Sequence, residues 1–305
     1  MYGVKKLGEK MSERIFTELQ PNLYFVHGKL SGRFPYCNGL MIDSEVKVLV
    51  DTGYGRSRIE RIIEYGKVDV IINTHYHMDH VFGNRYFPHA QIWAHTLDAP
   101  ALRSTEQFMA YTGLDESLGP DPSLFPGGPV SFEVDKELVN GEVLEFGSVS
   151  LQVIHAPGHT PGHIALFEPH SGVLFSGDVD LSPFGPWYGN LRSDLEMFIE
   201  SILRLIDLNP KVLATSHSGI VTDNIPERLR DYLGKVELRD EQILHYLRFP
   251  QTIEELVNQK IIYHRFPEPQ RLYRFFEEVM VRKHLQNLIK QGRVYELNQK
   301  FKAFD

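Results

Sequence analysis

Cysteine is nearly absent from this 305-residue chain, which contains one thiol, Cys37. A single thiol excludes an intrachain disulfide framework and is typical of a reducing compartment. Long apolar runs are also missing, because no stretch approaches the roughly 20 residues that a membrane-spanning helix needs. The N-terminal segment contains basic residues but no apolar core of the kind found in secretory signals. We therefore expect a cytoplasmic protein with no membrane partner.

Positive charge is scarce over most of the chain, whose formal net charge is −8. Residues 1–234 carry a net charge of −11, whereas residues 235–305 carry +3. A step of this kind indicates a domain boundary near Gly234 and different partners for the two parts. We therefore predict a larger domain at 12–234 and a smaller one at 235–305.

The larger part alternates short apolar runs with helical patterns. "NLYFV", "GLMI", "VKVLV" and "VDVIINT" are typical of strands, and Asn140–Gly141 is a hairpin signal between later runs. "SDLEMFIESILRLIDL" predicts an amphipathic helix, in which Ser193 and Glu196 have capping-box spacing. Two blocks of strands with attached helices favour an α+β fold of the αββα sandwich type. Residues 100–132 have no regular pattern and are interpreted as an insert or lid.

The smaller part has a different pattern. Three helical segments, "DEQILHYL", "TIEELVNQKI" and "RLYRFFEEVMVRKHLQNLIKQG", precede the alternating segment "RVYELNQKFKAF". Three helices followed by a hairpin is the order of a winged helix. The sequence therefore predicts a winged-helix-like domain at 235–305.

Histidines crowd the segment "NTHYHMDHVFGN" at residues 73–84, directly after an apolar strand. His75 and His77 are two residues apart, so their rings project to the same side of an extended chain. Asp79 and His80 follow where the chain should turn into a helix. Imidazole suits zinc, iron and similar ions, and carboxylates supply the negative charge that holds a divalent pair.

Three further strand ends carry the same kinds of side chain. "HAPGHTPGH" places His159 after a strand, "LFSGDVD" ends an apolar run at Asp178, and "VLATSHSG" ends another at His217. We expect these strand-end loops to converge on one edge of the sandwich.

The set His75-x-His77-x-Asp79-His80, His159, Asp178 and His217 resembles the metallo-β-lactamase superfamily over roughly residues 15–225. The resemblance implies that His75, His77 and His159 hold one metal ion, that Asp79, His80 and His217 hold a second, and that Asp178 bridges both. Asp51 in "LVDTG" is similar to a strand-end aspartate of that family that orients a metal ligand. The tail, together with "PGHTPGH" at 157–163, resembles the branch that carries a C-terminal winged helix and includes the mitochondrial β-lactamase-like endoribonuclease.

The resemblance implies a dinuclear metal-dependent hydrolase with a metal-bridging hydroxide as nucleophile, zinc being the expected cation and iron or manganese the alternatives. Asp79 is the expected catalytic residue, because it can steer the nucleophile or carry its proton. Esters, thioesters and phosphodiesters all suit such a site.

Two other functions stay open at this point. One is an endoribonuclease that cuts single-stranded RNA with help from the winged helix, and the other is a non-catalytic metal-dependent regulator that binds nucleic acid. Partners are thus a small-molecule ester or thioester, or RNA, and the winged helix could also build a homodimer. Phe184, Trp187 and Tyr188 in "SPFGPWYGN" are predicted to wall the substrate pocket.

Overall fold

Two β-sheets pack face to face, with helices on both outer faces. The computed structural model describes residues 15–114 and 130–304. This arrangement is the mixed α+β sandwich that the sequence predicts. Residues 12–14, at the start of the predicted larger domain, lie outside the described residues.

Within residues 15–114 and 130–304, the N-terminal sheet contains seven strands in chain order. β1 to β4 pair antiparallel, and β4 to β7 pair parallel. Its strands are β1 (Phe16–Gln20), β2 (Leu23–Val26), β3 (Gly39–Ile42), β4 (Val48–Val50), β5 (Val70–Asn73), β6 (Gln91–His95) and β7 (Lys136–Leu138).

In the described part of the chain, the C-terminal sheet contains six strands in the order β13-β12-β11-β10-β9-β8, of which β11 and β12 pair parallel. Its strands are β8 (Val143–Phe146), β9 (Val149–His155), β10 (Ile164–Glu168), β11 (Val173–Phe175), β12 (Val212–Thr215) and β13 (Gly219–Val221).

The predicted hairpin at Asn140–Gly141 is wrong. This turn joins β7 to β8, which belong to different sheets. The hairpin is instead closed after Phe146, which pairs with Val149 across Gly147 and Ser148. Turn residues specify only a local reversal of the chain. Because β7 pairs with β6 in the N-terminal sheet, this reversal carries the chain to the C-terminal sheet.

Eight α-helices occur in the described residues. They are α1 (Arg56–Glu64), α2 (Met78–Val81), α3 (Ala99–Arg103), α4 (Thr105–Thr112), α5 (Leu195–Asp207), α6 (Ile225–Tyr246), α7 (Ile253–Asn258) and α8 (Gln270–Lys290). The segment 100–132, predicted without regular structure, therefore begins with α3 and α4, and its residues 115–129 lie outside the described part. Among all the residues that the structure describes, no helix is both long and apolar enough to cross a membrane.

Apolar side chains fill three layers. Leu23 and Phe25 of β2 pack with Leu166 and Phe175 of the other sheet in the core between the sheets. On the outer face of the N-terminal sheet, α1 buries Ile59 and Ile62. On the outer face of the C-terminal sheet, a single cluster joins α5, α6, α7 and α8, with side chains such as Phe198, Leu229, Leu256 and Met280. This clustering sets the C-terminal helices directly against the sandwich.

The C-terminal part has the predicted order of three helices and a hairpin. α6, α7 and α8 precede β14 (Val294–Leu297) and β15 (Lys300–Ala303), which pair antiparallel. α6 runs without interruption through residues 234 and 235, where the charge step suggests a boundary. Both the boundary and the winged-helix assignment stay predictions.

The N-cap of α5 lies one residue later than its sequence pattern indicates. Asp194 caps the helix, because its carboxylate accepts a hydrogen bond from the backbone N of Met197 at 2.9 Å. The predicted cap, Ser193, instead donates from Oγ to the carbonyl of His159 at 2.8 Å. The serine thus supports the loop that carries a predicted metal ligand.

Candidate metal centre

The seven predicted ligands meet at one edge of the sandwich. His75 and His77 follow β5, and Asp79 and His80 lie in α2, which begins one residue after His77. His159 lies between β9 and β10, Asp178 follows β11, and His217 follows β12. The parallel pairs β4–β5 and β11–β12 bring their carboxyl ends to this edge, one pair from each sheet.

Three imidazoles form the first half of the centre. His75 Nε2 lies 3.0 Å from His77 Nδ1 and 3.2 Å from His159 Nε2, and the last two nitrogens are 2.9 Å apart. Nitrogens bound tetrahedrally to one zinc ion are about 3.3 Å apart, since each Zn–N bond is about 2.05 Å. The triangle is therefore close to one face of a zinc coordination tetrahedron.

Asp178 lies between the two halves, with one oxygen toward each. Its Oδ2 is 3.2 Å from His159 Nε2 and 3.9 Å from His75 Nε2. Its Oδ1 is 3.0 Å from His80 Nε2 and 3.3 Å from His217 Nε2. A carboxylate in this position can bridge two cations.

Asp79, His80 and His217 form the second half. Asp79 Oδ2 is 3.7 Å from His80 Nε2 and 3.6 Å from His217 Nε2. His80 is fully buried, and Asp79 is 7% exposed. The structure thus brings all seven predicted side chains together in two groups that could each hold an ion.

Asp51, predicted to orient a ligand, is fully buried and contacts His80. Its Oδ2 accepts hydrogen bonds from His80 Nδ1 and from the hydroxyl of Thr74, both at 2.8 Å, and its Oδ1 accepts from the backbone N of Thr74 at 2.8 Å. The same hydroxyl lies 3.0 Å from His75 Nδ1. One carboxylate thereby fixes a ring in each half of the centre, directly in one half and through Thr74 in the other.

The other three imidazoles are also held at the nitrogen that faces away from the centre. His159 Nδ1 donates to the carbonyl of Trp187 at 2.8 Å, His217 Nδ1 donates to the carbonyl of Gly32 at 2.6 Å, and His77 Nε2 contacts the side-chain amide of Asn190. A carbonyl only accepts, so in His159 and His217 the Nδ1 atom carries a proton and Nε2 is the nitrogen that faces the centre. Metal-binding histidines are oriented in this way.

The two halves differ in their electrostatics. Burial and the neighbouring imidazole of His80 lower the pKa of His75 well below 6.5, and burial with His159 does the same for His77. Burial would also lower the pKa of His217, but the carboxylates of Asp178 and Asp79 raise it to about 10. His75 and His77 consequently offer neutral lone pairs, whereas the second half is an acidic environment that attracts positive charge.

The residues present suit a pair of cations. Among the described residues, the buried atoms His80 Nε2 and Asp178 Oδ1 have no hydrogen-bond partner although they lie 3.0 Å apart. Buried polar atoms are nearly always satisfied, so such a pair calls for a group that is not protein. Imidazole and carboxylate donors suit zinc, iron and manganese alike, and the donor set does not choose between them.

A cavity of about 900 Å³ opens onto the centre and includes Asp79, His159, Asp178 and His217 in its lining. Phe184 and Trp187, predicted to wall the substrate pocket, line this cavity. The prediction for Tyr188 is wrong, because this side chain is fully buried outside the lining, with its hydroxyl 2.6 Å from His284 Nε2 and 2.9 Å from Arg239 Nη1. Neighbouring side chains of a non-helical segment tend to point to opposite sides, so only one of Trp187 and Tyr188 faces the cavity.

Several residues of the site have no distinctive sequence pattern. Thr74, Asn190 and Arg239 belong to no recognisable motif, and they reach the centre or its loops only in the folded chain. Asp98 is a further site residue without a distinctive sequence pattern. Its buried carboxylate accepts hydrogen bonds from Thr160 Oγ1 and from the backbone N of Gly162, both at 2.6 Å. Burial raises the pKa of Asp98 to about 7. In the sequence, the "PGHTPGH" pattern around His159 is the signal for a buried acid such as Asp98, because its Thr and Gly supply the donors.

The family model described as the metallo-beta-lactamase superfamily matches residues 32–217, more than half of the chain. The chain therefore belongs to the metallo-β-lactamase superfamily.

Curated relatives carry several different names. Beta-lactamase-like protein 2 homolog from Drosophila melanogaster is 25% identical over 76% of this chain and 72% of its own length. Atrochrysone carboxyl ACP thioesterase from Aspergillus fumigatus is 23% identical over 65% of this chain, and hydroxyacylglutathione hydrolase from Synechococcus is 31% identical over 45%. The chain spans about half the length of these last two, 55% and 45% respectively. Together with the family, the hydrolase names support a metal-dependent hydrolase.

Solved structures extend the similarity beyond the family-model region. A metallo-beta-lactamase family protein from Thermus thermophilus has a TM-score of 0.74 and 25% identity, covering 94% of this chain and 100% of that protein. A beta-lactamase domain protein from Burkholderia ambifaria has a TM-score of 0.71 at 18% identity, covering 95% and 93%, and shows the shared fold. The C-terminal helices thus have counterparts in other proteins of this fold.

Proposed function

We propose that this protein is a dinuclear metal-dependent hydrolase that acts on a small-molecule thioester or ester. The observation that carries the proposal is the convergence of five imidazoles and two carboxylates, with unpartnered buried atoms between them, on a cavity large enough for a substrate. His75, His77 and His159 would hold one cation, Asp79, His80 and His217 the other, and Asp178 both. Zinc is the first candidate for both ions.

The chain supplies orientation and proton transfer. When bound, two divalent ions lower the pKa of water and polarise the carbonyl oxygen under attack. Asp79 lines the cavity and is available to accept the proton of the attacking water at its carboxylate. Asp51 and the carbonyls of Trp187 and Gly32 keep the imidazoles in one tautomer, so that no reorganisation is needed during the reaction.

A thioester or ester suits the cavity better than a polyanion. Arg33 is the one Lys or Arg among the described lining residues, and Asp180 adds a further carboxylate beside the ligands. Binding of RNA relies on several phosphate contacts from basic side chains. The relatives named thioesterase and hydroxyacylglutathione hydrolase also favour the acyl substrate.

The test combines elemental analysis of the purified full chain with turnover of acetyl and benzoyl thioesters of N-acetylcysteamine, 4-nitrophenyl acetate and a single-stranded RNA oligonucleotide. We expect two metal ions per chain and hydrolysis of the thioesters or esters. Asp79→Asn should lower kcat by about 10²- to 10⁴-fold, because the proton acceptor for water and a carboxylate ligand of the second cation are both lost.

Asp223→Asn is the matched control, since Asp223 is an exposed acid paired with Arg228. Wild-type activity in Asp79→Asn would show that the chemistry lies elsewhere. Cleavage of the RNA without turnover of any acyl substrate would contradict this proposal and support an endoribonuclease instead.

A further inference from the structure

The cavity has two chemically different sides. The candidate ligands line one part of it, and residues of the C-terminal part and of the loop 182–190 line another part. Tyr263, Leu272, Tyr273 and Phe276 come from the C-terminal part, and all four are only partly buried. Such apolar surface facing a cavity beside a reactive centre is typical of a ligand pocket.

We call this part of the lining the aromatic wall, and direct contacts fix its geometry. It is formed by Phe184, Trp187, Tyr263, Leu272, Tyr273 and Phe276. Trp187 Nε1 donates to Tyr263 Oη at 2.6 Å, and the ring of Trp187 meets that of Phe276 edge to face at 5.2 Å. Phe184 and Tyr273 lie 5.1 and 5.3 Å from the ring of Tyr263. Rings locked against one another lose little conformational entropy when a ligand binds, so their contact area contributes efficiently to affinity.

A buried acid anchors the wall from behind. Glu277 on α8 is fully buried, and its two oxygens accept hydrogen bonds from the backbone N atoms of Ile262 and Tyr263 at 3.0 and 2.9 Å. The segment that carries Tyr263 is thereby tied to the helix that carries Leu272 and Phe276. The pocket is preformed by the C-terminal part.

We propose that this wall binds the acyl group of the substrate, so that the enzyme prefers thioesters or esters with a large apolar or aromatic acyl group, and that Leu272 and Phe276 determine its size. The inference rests on the proposed hydrolase function. In the reaction, the oxygen of water bonds to the acyl carbon, the C–S bond breaks and the leaving thiolate takes up a proton. The products are a carboxylic acid and a thiol.

The experiment uses the metal-loaded full chain and N-acetylcysteamine thioesters of acetate, hexanoate, benzoate and 2-naphthoate. We expect kcat/KM to rise from acetyl to naphthoyl, mainly through a lower KM. Phe276→Ala should lower the naphthoyl-to-acetyl ratio of kcat/KM about tenfold, since part of the contact area is lost. Leu272→Trp, which narrows the pocket, should lower the same ratio.

Phe275→Ala is the matched control. Phe275 is adjacent, also partly buried and outside the lining, so its removal should leave the ratio at the wild-type value. Turnover that is independent of acyl size, or a preference for acetyl, would overturn this inference and leave the hydrolase intact.

Calorimetric binding of the products separates the two proposals. We expect 2-naphthoate to bind at least about tenfold more tightly than acetate, because a fused aromatic ring buries far more apolar area, and Phe276→Ala to reduce that difference. Tighter binding of 2-naphthoate than of acetate, without turnover of any thioester or ester, would contradict the hydrolase function and support acyl binding by the aromatic wall. Equal binding of both acids would overturn acyl binding by the aromatic wall.

Discussion

Asp51 shows how much a single residue contributes to this centre. Its backbone is in the left-handed region, with φ of +59°, which is unusual for a residue other than glycine. The fully buried carboxylate receives hydrogen bonds from His80 and from both donors of Thr74. Strained backbone of this kind persists where the surroundings determine it closely, as at a functional site.

The prediction at the residue scale is that Asp51→Asn weakens metal binding. Asparagine tolerates the left-handed backbone, so the fold should be retained. Its amide has one oxygen, so it cannot accept the three hydrogen bonds from His80 Nδ1, the Thr74 hydroxyl and the backbone N of Thr74 that the two carboxylate oxygens receive. We expect affinity for the ion on the side of His80 to fall about 10- to 100-fold, measured by chelator competition.

Asp69→Asn serves as the comparison, because Asp69 also accepts from a backbone N but lies away from the centre, beside Lys47 and Lys67. Unchanged affinity for both ions in Asp51→Asn would contradict the orienting role of Asp51.

Individual residues were predictable where spacing alone carried the signal. His75, His77, Asp79 and His80 lie within six positions, so their proximity follows from the chain itself. The partners of the other ring nitrogens, such as the carbonyls of Gly32 and Trp187, have no side-chain signal because every residue has a carbonyl. Sequence reasoning had no means of identifying them.

At the scale of elements, the loop 182–190 depends on α6. Arg239 is 5% exposed and donates from Nη1 to the carbonyl of Pro186 at 2.7 Å and to Tyr188 Oη, and from Nη2 to the carbonyl of Phe184. The same loop supplies the carbonyl of Trp187 to His159. A buried guanidinium thus connects the C-terminal part with the metal centre.

The prediction for this element is that Arg239→Met disorders the loop. The buried carbonyl of Pro186 and the partly buried carbonyl of Phe184 lose their donor, so we expect the free energy of unfolding to fall by about 2–3 kcal/mol. KM for the naphthoyl thioester should rise more than kcat falls, because Phe184 and Trp187 shift. Urea unfolding and steady-state kinetics measure the two effects.

Arg239→Lys should give a KM between those of the wild type and Arg239→Met, since an ammonium can reach one of the carbonyls. Arg230 is exposed on the same helix, so Arg230→Met should change neither the free energy of unfolding nor KM. A loss of stability with an unaltered KM would limit Arg239 to a structural role.

Elements were predicted well where periodicity is strong and less well at their ends. The amphipathic pattern of α5 was sufficient to place the helix, but Ser193 and Asp194 are both good caps and only the contact of Ser193 with the loop of His159 separates them. The turn at Asn140–Gly141 was recognised, whereas its connection of two sheets was not, since long-range strand pairing leaves no local pattern.

At the scale of the whole molecule, the centre joins the two sheets. Ligands come from the segment after β5 and from α2 on one side, and from the loops after β9, β11 and β12 on the other. Cations held there would connect the two layers and neutralise the buried carboxylates. Their binding energy should therefore contribute to the stability of the sandwich.

The global prediction is that metal removal lowers the Tm. Dialysis against a chelator should decrease the Tm by about 5–10 °C, because binding to the folded state alone adds a few kcal/mol, and added zinc should restore it. Scanning calorimetry measures the change. The double variant His75→Asn, His80→Asn should show no response to zinc, and a wild-type Tm that is independent of chelator and zinc would contradict the coupling.

The sequence by itself determined the two-block α+β sandwich, the seven candidate ligands and the order of three helices and a hairpin at the C-terminus. These features depend on local spacing and on apolar periodicity, which are written along the chain. Only the tertiary structure decided that Tyr188 faces away from the cavity, that Asp51 supports both halves of the centre and that the C-terminal helices wall the pocket. Each of these depends on contacts between residues far apart in the chain, and such contacts form only when the layers pack.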